Sequence, residues 1–459
     1  MKYDPALVAA ILRRDLFSFI RETFPIVAPG ASFTPNWHLE AIAYALTQVL
    51  EGKTRRLIIT VPPRSLKSIS ASVAFPAFIL GHDPKRRIIC VSYSESLARK
   101  HANDTRAVMR SGFYSRLFPA SRISSAKDTE LEFATTLGGN RLATSVGGTL
   151  TGRGGNFVII DDPMKPQEAY SEAAGDSIKQ WYSNTLLTRL DDKTQDAIIV
   201  VMQRLHIDDL VGYLREQGGW THLNLPAIAE ARIGDQLHPE RESKAVLDDL
   251  KRSMGSFDFG AQYQQEPVAD GGNLIKWKWF KFYDNPPVRQ PGDKIIVSCD
   301  TAMSSKDLAS YSACVVLQVR EETVFVLDVL RERLEFPDLR RAIVDIHHRW
   351  RRATNYALLI EDKGSGMSLI QDLKRDSIRA IAVDPQGDKA MRMNAQTARI
   401  EAGAVYLPRS AAWLDEFRRE LLAFPAGRHN DQVDALSQGL NRAFDRSRKL
   451  IMRTVGGCV

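Results

Sequence analysis

The chain has 459 residues, enough for two or three domains, of which 44% are hydrophobic and 25% charged. Those proportions exclude a mainly disordered chain, a collagen-like chain and a long coiled coil, and no apolar run approaches the ~20 residues of a membrane span. A formal net charge of +7, from 62 Lys and Arg against 55 Asp and Glu, permits a polyanionic partner without proving one.

Apolar residues recur at helical spacing twice in the first 50 positions. The first set is Leu7, Ile11, Leu12, Phe19 and Ile20, and the second is Ile42, Ala45, Leu46 and Val49. A Pro/Gly-rich loop over 25–35 separates them. The opening segment carries Asp4 and Asp15 and no small-residue cleavage site, so it is not read as a signal peptide. RRLIITV (55–61) has the Ile and Val content of a buried parallel strand, and a helix follows it to Leu80. RRIICVSYS (86–94) predicts a second strand, with a helix over 95–110. EFATTLGGNRLATSV alternates on both sides of Gly138, Gly139 and Asn140, which predicts a hairpin. NFVIIDDP (156–163) is a strand ending in carboxylates. A polar helix over 175–190 precedes the strand DAIIVVM (196–202). Strands alternating with helices predict a doubly wound, mainly parallel sheet.

From 218 to 288 periodicity fades and turn-forming residues dominate, so the domain boundary is placed there. KIIVSCDTA, SACVVLQVR and TVFVLDVL follow with short connections and predict an antiparallel meander. Next come a helix (336–351), a strand (356–361), a helix to about Asp376, and strands at 379–384 and 404–407. Helices at 412–424 and 430–444 and a frayed basic tail from Arg446 end the chain. The expected division is 1–220, a linker or subdomain at 221–288, and 289–459. The four cysteines (Cys90, Cys299, Cys314, Cys458) are scattered, which points away from a disulfide framework or zinc site and towards a reducing cytosol.

The first candidate site follows RRLIITV. Pro62-Pro63-Arg64-Ser65-Leu66-Lys67-Ser68 lies between a strand and a helix, the context of a phosphate-binding loop. There backbone N–H groups and a helix N-terminus meet phosphates, a lysine neutralises their charge, and a serine hydroxyl ligates Mg²⁺. The general motif has Gly where this chain has Leu66 and Val61. Phe157-Val158-Ile159-Ile160-Asp161-Asp162 supplies a matching apolar strand ending in two acids. Asp161 would hold the metal through water and Asp162 would polarise the attacking water. Arg64, Arg99 and Arg106 are candidate charge donors to a phosphoryl group, and Gln203 with Arg204, ending a strand, are candidate sensors of the γ-phosphate. Together the two motifs predict an ATPase.

The second candidate site is built of carboxylates. Asp300 follows an apolar strand, where an acid is costly unless paired or bound to a cation. Glu361 ends a later strand, and Asp431 and Asp434 share one side of a helix. Such hard oxygen ligands suit Mg²⁺ or Mn²⁺ rather than zinc, and two such ions clamp the attacking and leaving oxygens of a phosphodiester. The element order is that of the ribonuclease H-like fold. His429 lies near these acids, whereas His347 and His348, adjacent on a helix, point apart and cannot chelate well.

An ATPase half followed by a ribonuclease H-like half resembles the large terminase subunit of tailed bacteriophages over nearly the whole chain. The resemblance rests on TPNWHLEAI (34–42), VPPRSLKS (61–68), TGRGGNFVIIDDPMK (151–165) and VVMQRLHIDDL (200–210). It continues through QYQQEP (262–267), GGNLIKWKWF (271–280), VSCDTA (297–302), LLIEDKGSG (358–366), ARIEAGAVYLP (398–408) and HNDQVDAL (429–436). It implies ATP and Mg²⁺ as cofactors, with Mn²⁺ able to substitute at the nuclease. Pro63, Arg64, Ser65, Lys67 and Ser68 would contact the phosphates, and Trp37 and His38 the adenine. Asp161 would hold the metal, Asp162 would stand where the family usually has Glu, and Gln203 and Arg204 would couple hydrolysis to movement. Asp300, Glu361 and Asp431 would be the nuclease carboxylates, with Asp434 an additional or alternative ligand. The implied partners are double-stranded DNA, the portal of a procapsid, a small terminase subunit and further copies in a five-membered ring, all in the bacterial host cytoplasm and away from membranes. DNA would be held chiefly by its phosphates, with Arg349, Arg351, Arg352, Lys363, Lys374 and Arg375 as candidate contacts. The alternative is a stand-alone ribonuclease H-like nuclease or resolvase with a vestigial ATPase domain.

Overall fold

The computed structural model describes residues 4–169, 171–229, 235–267, 274–301, 311–352, 355–385, 387–425, 427 and 429–445. Ala302, positions 268–273 of the boundary stretch and the tail from Arg446 lie outside the described residues. The chain divides into an N-terminal unit (Met1–Lys251 with Phe257–Val268) and a C-terminal unit (Arg252–Ser256 with Ala269–Val459). No helix among the described residues is long and apolar enough to cross a membrane.

Three helices open the N-terminal unit: α1 (Pro5–Arg14), α2 (Leu16–Val27) and α3 (Trp37–Leu50). The Asp4 and Asp15 carboxylates cap the first two, accepting from the N–H groups of Ala6 and Ser18. Strand β1 (Arg56–Thr60) leads through the 62–68 loop into a helix of mixed type. It begins as a π-helix over Ile69–Ala74 and continues as α4 (Phe75–His82). Pro76, which has no N–H for an α-helical ladder, falls at this change of hydrogen-bonding pattern. Then come β2 (Arg87–Ser92), α5 (Glu95–Arg110), the short α6 (Gly112–Leu117), β3 (Ile123–Asp128), β4 (Glu132–Thr135), β5 (Asn140–Ser145) and β6 (Phe157–Asp161). After α7 (Glu172–Trp181), the unit continues with β7 (Ala197–Met202), α8 (Leu210–Gln217) and β8 (Thr221–Asn224).

The strand order is β3-β4-β5-β2-β6-β7-β1-β8. The six strands from β5 to β8 run parallel, and β4 returns antiparallel on β5 as the expected hairpin. Central strands are buried on both faces. Leu57 and Ile59 join the core on one side of the sheet, and Ile58 joins the core on the other. Asp161 is in register with Val201, and Thr60 with Met202, so β1, β6 and β7 end at one edge of the sheet.

The stretch that lacks periodicity nevertheless contains β8 and α9 (Lys244–Gln262), the latter interrupted at Gly255, whose φ of 84° leaves helical geometry. β8 adds to the sheet edge beside β1 with only four residues, too few for its alternation to register.

The C-terminal unit begins with β9 (Lys281–Tyr283). The meander follows as β10 (Lys294–Asp300), β11 (Ser312–Arg320) and β12 (Thr323–Glu332), antiparallel as expected. Next are α10 (Phe336–Trp350), β13 (Asn355–Glu361), α11 (Ser365–Arg375), β14 (Ala380–Val383), α12 (Lys389–Glu401), β15 (Val405–Pro408), α13 (Leu414–Ala423) and α14 (Asp431–Phe444). The sheet order is β14-β13-β10-β11-β12-β15-β9, which places β12-β11-β10-β13-β14 in the ribonuclease H-like arrangement. Apolar side chains of α10 and α11 pack on one face with Ile295, Val297 and Cys299. The alternate residues Ser298 and Asp300 therefore belong to the other face. There α14 lies close, because Gly439 has no side chain to meet Leu317 and Ser298.

Candidate active sites

In the N-terminal unit the 62–68 loop bends without glycine. Arg64 (φ 63°) and Leu66 (φ 57°) both occupy the left-handed region, so non-glycine residues carry the turn. Arg241 donates to the Arg64 carbonyl and braces it. The turn brings Lys67, almost fully buried, into an ion pair with Asp162, Nζ to Oδ2 at 3.0 Å. Asp162 itself has φ 44°, and its carboxylate also accepts from the Gln203 N–H at 3.2 Å. Asp161 is enclosed. Its oxygens accept from Ser68 Oγ at 3.0 Å and Ser72 Oγ at 2.7 Å, and His101 Nδ1 lies 3.5 Å away. Burial raises the pKa of both carboxyls above the ordinary range. Ser72, Lys67 and Ser68 pull Asp161 back, and Lys67 pulls Asp162 back. The loop, the two acids and Gln203 thus converge at the carboxyl edge of a parallel sheet, where such folds bind ligands.

Other expected participants are placed differently. The Arg204 guanidinium is buried and committed to Asp209, Nε to the two carboxylate oxygens at 3.0 and 2.9 Å, so it does not reach towards the loop lysine as a free charge. Arg99 pairs with Glu95 and Glu130, and Arg106 with Asp128, in ordinary surface networks. Trp37 is exposed, whereas His38 is buried beside His238 with ring centroids 5.5 Å apart. Pro63 is half-buried and Ser65 buried within the loop.

Two buried histidines, His38 and His101, and the half-buried His222 give this unit an acid sensitivity. Burial first, and neighbouring positive groups next, hold His101 and His222 down to about 4. Burial and His238 do the same for His38. Below the ordinary value of 6.5 the unfolded chain takes up protons that the folded chain refuses, so stability is lost as pH falls from about 6.5 to about 4. Thermal unfolding across that window should show a falling Tm, and His222→Gln should flatten part of the fall. An unchanged slope in that variant would refute the assignment.

In the C-terminal unit Asp300 ends β10 and Glu361 ends the adjacent parallel strand β13, one step beyond the pair Cys299 and Ile360. Gly366 lets α11 start directly against the Glu361 carbonyl, where a β-carbon would stand 2.0 Å from the oxygen. Asp431 and Asp434 occupy the first turn of α14, where the helix dipole favours negative charge. Glu420 of α13 caps that turn, accepting from the N–H groups of Gln432 and Val433, and Arg331 holds Glu420 at 3.1 Å. One turn on, Gln438 Nε2 donates to Ser298 Oγ at 3.0 Å, tying α14 to β10. Burial, and then the charge of Asp434, push the Asp300 carboxyl well above its ordinary range, with Glu361 and Asp431 adding to the effect.

The four acids are assembled, but not around an ion-shaped gap. No three His, Cys, Asp or Glu side chains among the described residues are arranged to hold a metal ion. Asp434 is instead paired with Lys389 and with Arg392 of α12, the latter at 2.8 Å. The remaining donors are carboxylate oxygens, the chemistry a hard cation prefers, and Asp300 is half-buried beside like charges. His429 packs edge-on against Tyr311, and His347 bonds Tyr356, so the adjacent histidine pair forms no chelate. Of the basic residues proposed to face DNA, Arg349 and Arg375 are engaged by Asp328 and Asp372.

Residues 297–443 match the family described as the Terminase RNaseH-like domain. The C-terminal unit belongs to that terminase family. The matched span of the terminase domain runs from β10 to α14 and includes all four carboxylates. No curated protein matches the chain. Among solved structures, the large terminase from a thermophilic bacteriophage aligns at 12% identity over 92% of this chain and 98% of its own, with a TM-score of 0.50. At that identity the likeness speaks for the fold alone. The same phage protein in complex with ATP-gamma-S aligns at 13% identity over 86% and 98%, TM-score 0.48. The large terminase nuclease from thermophilic phage G20c with bound magnesium aligns at 13% over 37% of this chain and 97% of its own, TM-score 0.30.

Sequence reasoning misses the supporting residues of both sites. Ser72 and His101 around Asp161, Arg241 on the loop, and Lys389, Arg392 and Glu420 around the terminase acids carry no motif. The helix that bears Lys389 and Arg392 is itself absent from the expected elements. Its amphipathic pattern, with Met393, Thr397 and Ile400 buried, is the available signal.

Proposed function

We propose that this protein is the large subunit of a viral DNA-packaging motor, coupling ATP hydrolysis to translocation of double-stranded DNA into a procapsid and cutting concatemeric DNA with a metal-dependent nuclease. The observation that carries this reading is the presence of two separately built sites in one chain, Lys67 against Asp162 at a parallel-sheet edge and four carboxylates at the ends of β10 and β13 and the start of α14 in a terminase ribonuclease H-like domain. In this reading the motor occupies residues 1–220, a connecting segment 221–288, and the nuclease 289–459. The motor acts in the bacterial host cytoplasm as a ring of copies on a portal, with a small subunit choosing the DNA site.

When bound, ATP with Mg²⁺ supplies the phosphoanhydride whose hydrolysis drives the motor. The chain's own residues prepare for it. The 63–68 backbone and Lys67 would receive the phosphate charge, with Arg64 available from the loop, and His38 and Trp37 are the residues that would contact the base. Ser68 and Asp161 already share a hydrogen bond and offer adjacent oxygens to Mg²⁺. Asp162 holds Lys67 in this structure and would be released to orient water if the lysine's charge were turned to a bound phosphate. The Gln203 N–H then remains as its anchor and links that event to the strand β7 end.

The test is ATP turnover by the purified chain with and without duplex DNA. DNA-stimulated turnover is expected. Absence of both ATP binding and turnover would leave a nuclease with a vestigial ATPase domain.

The loop offers a sharper test. Leu66→Gly should retain ATP binding, because glycine adopts φ 57° freely. Leu66→Val should weaken it measurably, since a β-branched residue resists that conformation more than the leucine now there. Equal affinity of the two variants, by titration with a fluorescent ATP analogue, would contradict the strained loop as the phosphate cradle.

A further inference from the structure

Just ahead of the edge strand β9, the segment LIKWKWF (274–280) mixes apolar residues with lysines. Leu274, Ile275, Trp279 and Phe280 are buried and anchor it, and Trp277–Trp279 forms a single 3-10 turn. Lys276 and Lys278 are left exposed on either side of Trp277. Lys276 Nζ lies over the Trp279 ring, 5.5 Å from its centre. From α13 the exposed Arg418 places its guanidinium over the Trp277 ring, 5.1 Å from its centre. Trp277 is half-buried and backed by Phe280 and Phe282, with ring centres 5.5 and 5.7 Å away. Three cations therefore surround one fixed aromatic cluster. An aromatic face attracts a cation without neutralising it.

None of Lys276, Lys278 and Arg418 has an ion-pair partner among the described residues. The acids of the neighbouring segments are engaged elsewhere. Asp284 pairs with Arg409, Glu416 pairs with Arg331 and Arg419, and Glu420 is buried against the first turn of α14. Asp415, one turn before Arg418, pairs with none of the three, so the balance stays positive. Lysines also guard sheet edges against pairing with another strand. That role does not account for these cations, because Lys276 and Lys278 precede β9 and Arg418 belongs to a helix. The lysine of the edge strand itself is Lys281. Alternation puts it on the opposite face from Phe282, where it lies over Tyr406 at 5.6 Å.

We propose that Lys276, Lys278 and Arg418, set around Trp277, form a surface that grips the phosphate backbone of duplex DNA. Phosphates offer a repeating negative charge that needs neither a groove nor a base edge to be recognised, which suits exposed cations on a rigid aromatic base. The planar fork of Arg418 matches a phosphate with two parallel hydrogen bonds. On α13, Arg418 faces outward while the buried Glu420 caps the turn that carries Asp431 and Asp434. The grip and two of the nuclease acids are thus tied through one helix. The inference rests on the reading of this chain as a DNA-packaging protein.

Anisotropy of a short fluorescent duplex with the full chain tests it, without nucleotide or divalent metal and across a sodium chloride series. Each lost phosphate contact flattens the plot of log affinity against log salt by about 0.9. The triple variant Lys276→Gln, Lys278→Gln and Arg418→Gln should flatten it by about 2.7. Lys276→Gln with Lys278→Gln, which keeps the Arg418 stack on Trp277, should flatten it by about 1.8. Removing the same charge from exposed residues elsewhere in this unit, by Arg351→Gln, Arg352→Gln and Lys374→Gln, should leave the slope nearly unchanged. Equal flattening by the two triple variants would reduce the effect to net charge and overturn the proposal. An unchanged slope in both variants of the Trp277 surface would overturn it too, and would point to an acidic protein as the partner there. In either case the packaging reading stands. If the wild-type chain shows no salt-sensitive binding of duplex, that reading fails together with the proposal.

Discussion

Lys67→Ala is expected to abolish ATP hydrolysis and spare DNA cutting, whereas Asp300→Asn should abolish cutting and spare hydrolysis. Each loss should be at least about a hundredfold, the effect of removing one charge-stabilising group from a preorganised site. The losses should be separable because the two groups belong to different sheets and different cores. Lys67 is held by Asp162 at 3.0 Å at the first sheet's edge, and Asp300 is half-buried beside the charges of Asp434, Glu361 and Asp431 in the second unit. Lys67→Ala also leaves Asp162 without its ion-pair partner, so a melting curve accompanies the assay. Phosphate release and nicking of supercoiled plasmid with Mn²⁺ provide the readouts. Loss of both activities in either variant would count against two independent sites.

Asp209→Ala should be among the most damaging substitutions in the N-terminal unit, costing about 3–5 kcal/mol because it leaves a buried guanidinium without its counter-charge. Asp209 has three functions at once. It holds Arg204, accepts from the N–H of Leu205, and caps α8 by accepting from Gly212. For a unit of this size the loss corresponds to a fall in Tm of roughly 6–20 °C, measurable by calorimetry. The double variant Arg204→Met with Asp209→Leu should recover part of it, since no buried charge then remains unmatched. A fall of less than ~2 °C in Asp209→Ala would show the pair to be dispensable. Arg204, expected to address nucleotide, has its guanidinium paired with Asp209. Its side chain builds the turn after β7, and the neighbouring Gln203 N–H is what reaches the Asp162 carboxylate.

How much of this is legible in the chain depends on the length scale of the signal. RRLIITV and NFVIID are apolar runs too polar-poor to be anything but buried strands, and an acid or a lysine at the end of such a run must be satisfied there. Lys67, Asp161, Asp162, Asp300 and Glu361 therefore stand out from local pattern alone. The helical spacing of Asp431 and Asp434 places both on one helix face. The meander of β10, β11 and β12 is equally plain, because three alternating runs with short connections can only pair in sequence. By contrast β3, β8 and β9 escape sequence reading, since strands this short and this partly exposed have little periodicity of their own and form by adding to a sheet that already exists.

The chemistry of the acids is decided by partners remote in sequence. Nothing near Asp434 indicates that Lys389 and Arg392, more than forty residues earlier, will neutralise it, because that contact exists only once α12 packs along α14. The same holds for His101 and Ser72 around Asp161. The missing glycine before Lys67 reads as a defect in the loop, yet Arg64 and Leu66 adopt positive φ under the brace of Arg241. Residue types and their local spacing by themselves determined which strands and helices form and which charged groups end them, because burial of an apolar run is a local demand. Only the tertiary structure decided the charge balance, since electrostatic partnership depends on distance in space, and packing brings together residues that the chain order keeps apart.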